Sequence, residues 1–186
     1  FAKAKDLAAT VLEKRIKFLG EDHPETLRAM GNLARTYLEL GDLAKAGEPV
    51  IIVHEKFTRL LGEDHPETLR AMGNLARTHL ELGDFVKAAE LAVIVHEKFT
   101  KHLGEDHPDS LLAMENLART HFQLEDFEKA KELEVALLEK RKQCLGAKHP
   151  STTLSMKNLA STYRALDMLR EAEGLEQLIE DNEKLL

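Results

Sequence analysis

The chain has 186 residues, enough for one ordinary domain, and 32% charged with 43% apolar residues is the composition of a soluble protein. A net charge of −7 argues against sequence-independent nucleic-acid binding, which needs a basic surface, and no apolar run approaches the ~20 residues of a membrane-spanning helix. One cysteine, Cys144, excludes an intramolecular disulfide and fits a reducing compartment, so a cytoplasmic location is expected.

Residues 1–18 align with residues 43–60 and predict a helix that opens the chain halfway through a repeating unit. With no initiator Met and no signal peptide, the expectation is an excised fragment of a longer protein. The stretch LGEDHPETLRAMGNLART follows at residues 19–36 and returns unchanged at 61–78. It recurs more loosely from Leu103 and as LGAKHPSTTLSMKNLAST from Leu145. The period is 42, and residues 19–60 match 61–102 at 33 of 42 positions, close enough to imply copies of one structural unit. The chain therefore divides into a half repeat, 1–18, and repeats 19–60, 61–102, 103–144 and 145–186, read as one domain.

Each repeat predicts two helices. The first starts at a proline (Pro24, Pro66, Pro108, Pro150), whose missing N–H costs nothing at the first helical position. Leu27, Met30, Leu33, Ala34 and Tyr37 then recur at helical spacing. Gly41 with Asp42, and Gly83 with Asp84, break that helix and start the second. In the second helix Phe85, Ala88, Ala92, Val95 and Phe99 form a stripe that Leu91 and Ile94 widen, so it must pack on two neighbours. The glycine and proline breaks exclude one long coiled coil. Pro49 stands inside such a helix, where it removes a hydrogen bond and clashes with the preceding turn, and predicts a kink or a late start there.

These positions carry a family resemblance. Met30, Leu33, Ala34 and Tyr37, then Ala46 and Val50, occupy the places of the tetratricopeptide signature W-x2-L-G-x2-Y and A-x3-F, with Met for Trp and Ala for Gly. The 42-residue unit with its LGEDHP…NLA…KA…EK pattern resembles the long tetratricopeptide variant of kinesin light chains. It is still more similar to the C-terminal arrays of NLR-like (STAND) nucleotide-binding receptors of fungi and bacteria. The resemblance implies an all-α fold, an α-solenoid of helical hairpins in a right-handed array, and a protein- or peptide-binding function.

Catalytic and metal chemistry find little support. His23, His65, His107 and His149 sit one repeat apart, and stacked helices lie roughly 8–10 Å from each other, whereas zinc ligands converge within about 2 Å of one ion. Their expected role is to start helices. VHEK at His54 and His96 begins like a zincin motif, but Thr58 and Thr100 stand where the second histidine belongs. Neither a phosphate-binding glycine loop nor a G-x-S-x-G elbow occurs, so no enzyme and no cofactor are expected. Cys144 reads as a small packed residue near a helix end.

The polar side of the first helices is more informative. At about 100° per residue, Arg28, Asn32, Arg35 and Glu39 share an arc about 60° wide opposite the apolar face. The arc recurs as Arg70, Asn74, Arg77 and Glu81, then as Leu112, Asn116, Arg119 and Gln123, and finally as Leu154, Asn158, Ser161 and Ala165. The asparagine returns every time although it is a mediocre helix former. The resemblance implies that this arc lines a concave groove in which Asn contacts a peptide backbone.

Arg35 with Glu39 and Arg77 with Glu81 are spaced to neutralise each other weakly, while Arg119 meets Gln123 instead. Phe122 and Leu112 add apolar surface near the rim. The second and third repeats are thus the expected strongest site, for a peptide with acidic and apolar residues, about three residues per repeat at 3.3 Å each. The expected context is the ligand-sensing end of a STAND-type receptor; the alternatives are a kinesin-light-chain-like cargo adaptor and self-association through the terminal helices.

Overall fold

A computed structural model of the chain describes residues 2–184, and the backbone alone for Ala2, Ala4 and Glu183. Phe1, which aligns with Leu43, lies outside the described residues. Nine helices and no strand occur among them: α1 Ala2–Leu19, α2 Pro24–Glu39, α3 Leu43–Leu61, α4 Pro66–Glu81, α5 Phe85–Leu103, α6 Pro108–Gln123, α7 Phe127–Leu145, α8 Pro150–Ala165 and α9 Leu169–Lys184. Their order follows the 42-residue period, with proline at the first position of α2, α4, α6 and α8.

The histidine before each proline is the helix cap. Nδ1 of His23, His65, His107 and His149 accepts the N–H of the residue two further on, at 3.1–3.2 Å. Each ring thereby satisfies one of the helix donors that has no partner within the helix. Asp42 does the same for α3 by accepting from the Lys45 N–H. The turns between repeats are tied down as well: Thr68 and Thr152 donate their buried hydroxyls to the carbonyls of Gly62 and Gly146 at 2.8 Å.

Two compact units result. In the first, Phe1–Lys98, α2 packs on α1 and α3, and α4 on α3. Leu27, Val53, Phe57 and Ala71 form a core cluster there, flanked by Met30 and Leu61. In the second, Phe99–Leu186, α7 packs between α6 and α8, and α9 covers α8. Leu111 and Met114 meet Leu137 on one side of α7; Leu138 meets Met156, Leu159 and Ile179 on the other. The buried face of α7 also holds two charged residues, Glu134 and Arg141.

Two expectations need correction. Of the kink or late start expected at Pro49, the late start does not occur: α3 begins at Leu43 on its Asp42 cap and carries Pro49 in its interior. Burial of Ala46, Val50, Val53 and Phe57 holds the helix through the proline, which still deprives the Lys45 carbonyl of a donor. Cys144 is exposed rather than packed. It shares its register with Phe18, Leu60 and His102, all of which face outward near a helix end.

Candidate ligand-binding face

Helix α2 buries Thr26, Leu27, Ala29, Ala34 and Leu38, which turns Arg28, Asn32, Arg35 and Glu39 to the exterior. The equivalent side chains of α4, α6 and α8 are all exposed or half-buried. The side chains of Asn32, Asn74, Asn116 and Asn158 form no hydrogen bond among the described residues. Only their main-chain carbonyls are used, accepting the hydroxyls of Thr36, Thr78, Thr120 and Thr162. Four mid-helix amides therefore keep donor and acceptor free.

The guanidiniums differ in how firmly they are held. Glu67 bridges two of them in the first unit: Arg28 Nε lies 3.0 Å from its carboxylate and Arg70 Nη1 2.6 Å. Arg28 also pairs with Glu25. Glu67, by hydrogen bond and charge, raises the proton affinity of Arg28 further, with Glu25 adding a smaller share. Arg77 reaches Glu81 only at 4.0 Å. Arg35 makes no ion pair with Glu39 among the described residues and stands exposed. The expected Arg35–Glu39 neutralisation is thus not formed among the described residues, and the strong pairs lie about two turns earlier, on Glu67. The Glu-x2-Arg spacing of PETLR hints at one half of that bridge; the other half crosses between helices and is invisible in any single one.

In the second unit the first register of the stripe turns apolar. Leu112 is 51% and Leu154 46% exposed, at the register of Arg28 and Arg70. Arg119 is half-buried and is engaged by the protein. Phe122 is half-buried and packs edge-on against Phe127 with ring centres 5.2 Å apart, at the turn between α6 and α7.

Other chemistry-bearing residues lie elsewhere. His54 sits with Glu55, Thr58 and Arg59 around a shallow depression on α3, where burial lowers the imidazole's proton affinity. No group of three or more His, Cys, Asp or Glu able to hold a metal ion occurs among the described residues. Sequence reasoning overlooked Glu134 and Arg141, which their alignment with Val50 and Phe57 marks as core positions. No described helix is long and apolar enough to cross a membrane.

Among curated proteins, none matches the chain. Among solved structures it is similar to the nearly identical TPR-like repeats of a putative kinesin light chain of Podosopora anserina, at 28% identity and a TM-score of 0.72 over 98% of this chain and 86% of that one. A point-substituted form of those repeats gives 28% identity and 0.75 over 97% and 85%. BtubC (BKLC) from P. vanneervenii shares the fold at 20% identity and a TM-score of 0.79, over 99% of this chain and 73% of that one. One tetratricopeptide-repeat pattern matches residues 1–48 and 52–92, a second matches residues 110–151, and with the helical hairpins these place the chain in the tetratricopeptide-repeat family.

Proposed function

We propose that the chain is a scaffold that binds a protein or an extended peptide along the polar stripe of its first-of-hairpin helices, α2 and α4 in the first unit and α6 and α8 in the second. The observation that carries this reading is the four asparagine amides without a hydrogen-bond partner among the described residues, set mid-helix where asparagine is a costly choice. An amide matches a peptide bond as both donor and acceptor. Arg35 and Arg77 add an open and a loosely held guanidinium for acidic side chains, which Arg recognises through its fork. Leu112 and Leu154 add apolar contacts.

The reading is of a binding scaffold in the cytoplasm, without catalysis or cofactor. Its test is a displayed peptide library. Acidic peptides with apolar residues should be enriched, and Asn74→Ala with Asn116→Ala should together cut their affinity about thirtyfold, near 1 kcal/mol for one lost hydrogen bond each. Equal capture of basic peptides would refute the selectivity.

We infer that the parent protein is a STAND-type receptor in which this array senses the ligand; the support is the near-identity of neighbouring repeats, 33 of 42 positions between 19–60 and 61–102. A second reading, a cargo adaptor of a motor assembly, draws on the similarity to the kinesin light chain repeats. Sequencing upstream of Phe1 separates them: a nucleotide-binding P-loop domain supports the first, a heptad coiled coil the second.

A further inference from the structure

The 42-residue register sets Arg141 where earlier repeats carry Phe57 and Phe99, Glu115 where they carry Gly31 and Gly73, and Ser155 where they carry Ala29, Ala71 and Ala113. In the first unit Phe57 is buried with Leu27, Val53 and Ala71, and Gly31 leaves only ordinary contact space beside Val53. In the second unit Arg141 is just 6% exposed. Its Nη2 pairs with the Glu115 carboxylate on α6. Its Nη1 donates to Ser155 Oγ at 2.8 Å and to the Ser151 carbonyl at 3.2 Å, both on α8. Three positions far apart in sequence have changed together from apolar to polar, and the changed side chains touch one another.

We propose that this cluster is a register lock, which makes α7 accept α6 on one side and α8 on the other and no other helix of the chain. Near-identical repeats invite near-degenerate stackings, because a phenylalanine face packs as well on one Gly and Ala surface as on its copy. If α7 stacked on α2 or α4, Arg141 would meet Gly31 or Gly73 and be buried without a carboxylate. If α3 stacked on α6, Phe57 would bury Glu115 without a cation. Breaking a buried pair biases the equilibrium between stackings on the order of a hundred-fold or more, whereas the intact pair adds little net stability over an apolar one. The cluster therefore contributes order rather than strength. Arg15, at the same register of α1, makes the same kind of reach to the next helix: it donates to the Glu25 carbonyl at 2.5 Å and pairs with the Glu25 carboxylate at 2.9 Å.

The test compares the full chain with Arg141→Phe, Glu115→Gly and the triple variant Arg141→Phe/Glu115→Gly/Ser155→Ala, which restores the residues of the earlier repeats. Each single change should lower Tm by roughly 6–12 °C. The triple should melt at or above the wild-type temperature. After dilution from denaturant, the wild type should return as one species by size exclusion and hydrogen exchange. The triple should return partly as mis-stacked species with altered protection in α6–α8. A triple variant whose loss equals or exceeds the summed losses of the Arg141→Phe and Glu115→Gly variants would show that the positions are not coupled. One that refolds as cleanly as the wild type would show that the apolar set specifies order equally well. Either result overturns the lock.

Discussion

At the scale of single residues, the histidines are the clearest case of chemistry mistaken at first sight for a metal site. Nδ1 of His65 accepts the Glu67 N–H at 3.1 Å, which spends that nitrogen on the start of α4. His65→Ala should destabilise the first unit by about 1 kcal/mol, and His65→Asn should recover most of it, as chemical denaturation would show. This role was legible beforehand because a capping residue and a following proline are adjacent in sequence. Glu134 was not legible, since on the wheel of an isolated helix a glutamate counts as part of the wet face. Stacking places it inside α7 at 5% exposure, with Oε2 lacking a hydrogen-bond partner.

Burial pushes the Glu134 carboxyl up to about 7, with the neighbouring Thr162 hydroxyl pulling weakly the other way. A pKa raised in the folded state means that the stability it contributes is complete below the ordinary value of 4.5. That contribution is lost as pH rises through about 7. Glu134→Ala, the residue found at Ala92, should therefore gain little or nothing at pH 4.5 and several degrees in Tm at pH 8. A gain independent of pH would mean that the carboxyl does not titrate in the folded chain.

At the scale of helices, the sequence anticipates order and boundaries well because each repeat prints the same proline start and the first two print a glycine stop, a turn that Glu125 and Asp167 take over in the last two. Helix α3 is the exception, and it shows which force prevails. Propensity alone kinks it or delays its start near Pro49, yet the Asp42 cap and the burial of Ala46 and Val50 begin it at Leu43. The proline is tolerated at a cost. Pro49→Leu, the residue of the next repeat, should stabilise the chain by roughly 1–3 kcal/mol, read as a rise in Tm. Unchanged melting would mean that α3 accommodates the proline without loss.

At the scale of the molecule, repetition explains both the fold and the candidate site. A hairpin that is apolar on two sides buries them only on neighbours of its own kind, and copying the hairpin copies the stripe opposite its core. The stripe's membership could be read from the wheel; its charge could not. The bridge from Glu67 to Arg28 joins residues 39 positions apart on different helices, and among the stripe's arginines in the first unit it leaves Arg35 exposed and outside any described ion pair, while Arg77 is half-buried and 4.0 Å from Glu81. The buried Arg141 cluster escaped notice for the same reason, since its meaning lies in three helices compared across repeats. Residues that act within one helix are legible in its pattern, while those that act between helices need the stacking.

The central claim is that function resides on the asparagine stripe. An affinity capture from lysate, with the wild type beside an Asn74→Ala/Arg77→Glu/Asn116→Ala variant matched to it in thermal stability, tests that claim most directly. Partners should be retained by the wild type and lost from the variant. The same partners on both, or none on either, would contradict it and leave the stripe as an ordinary solvated face.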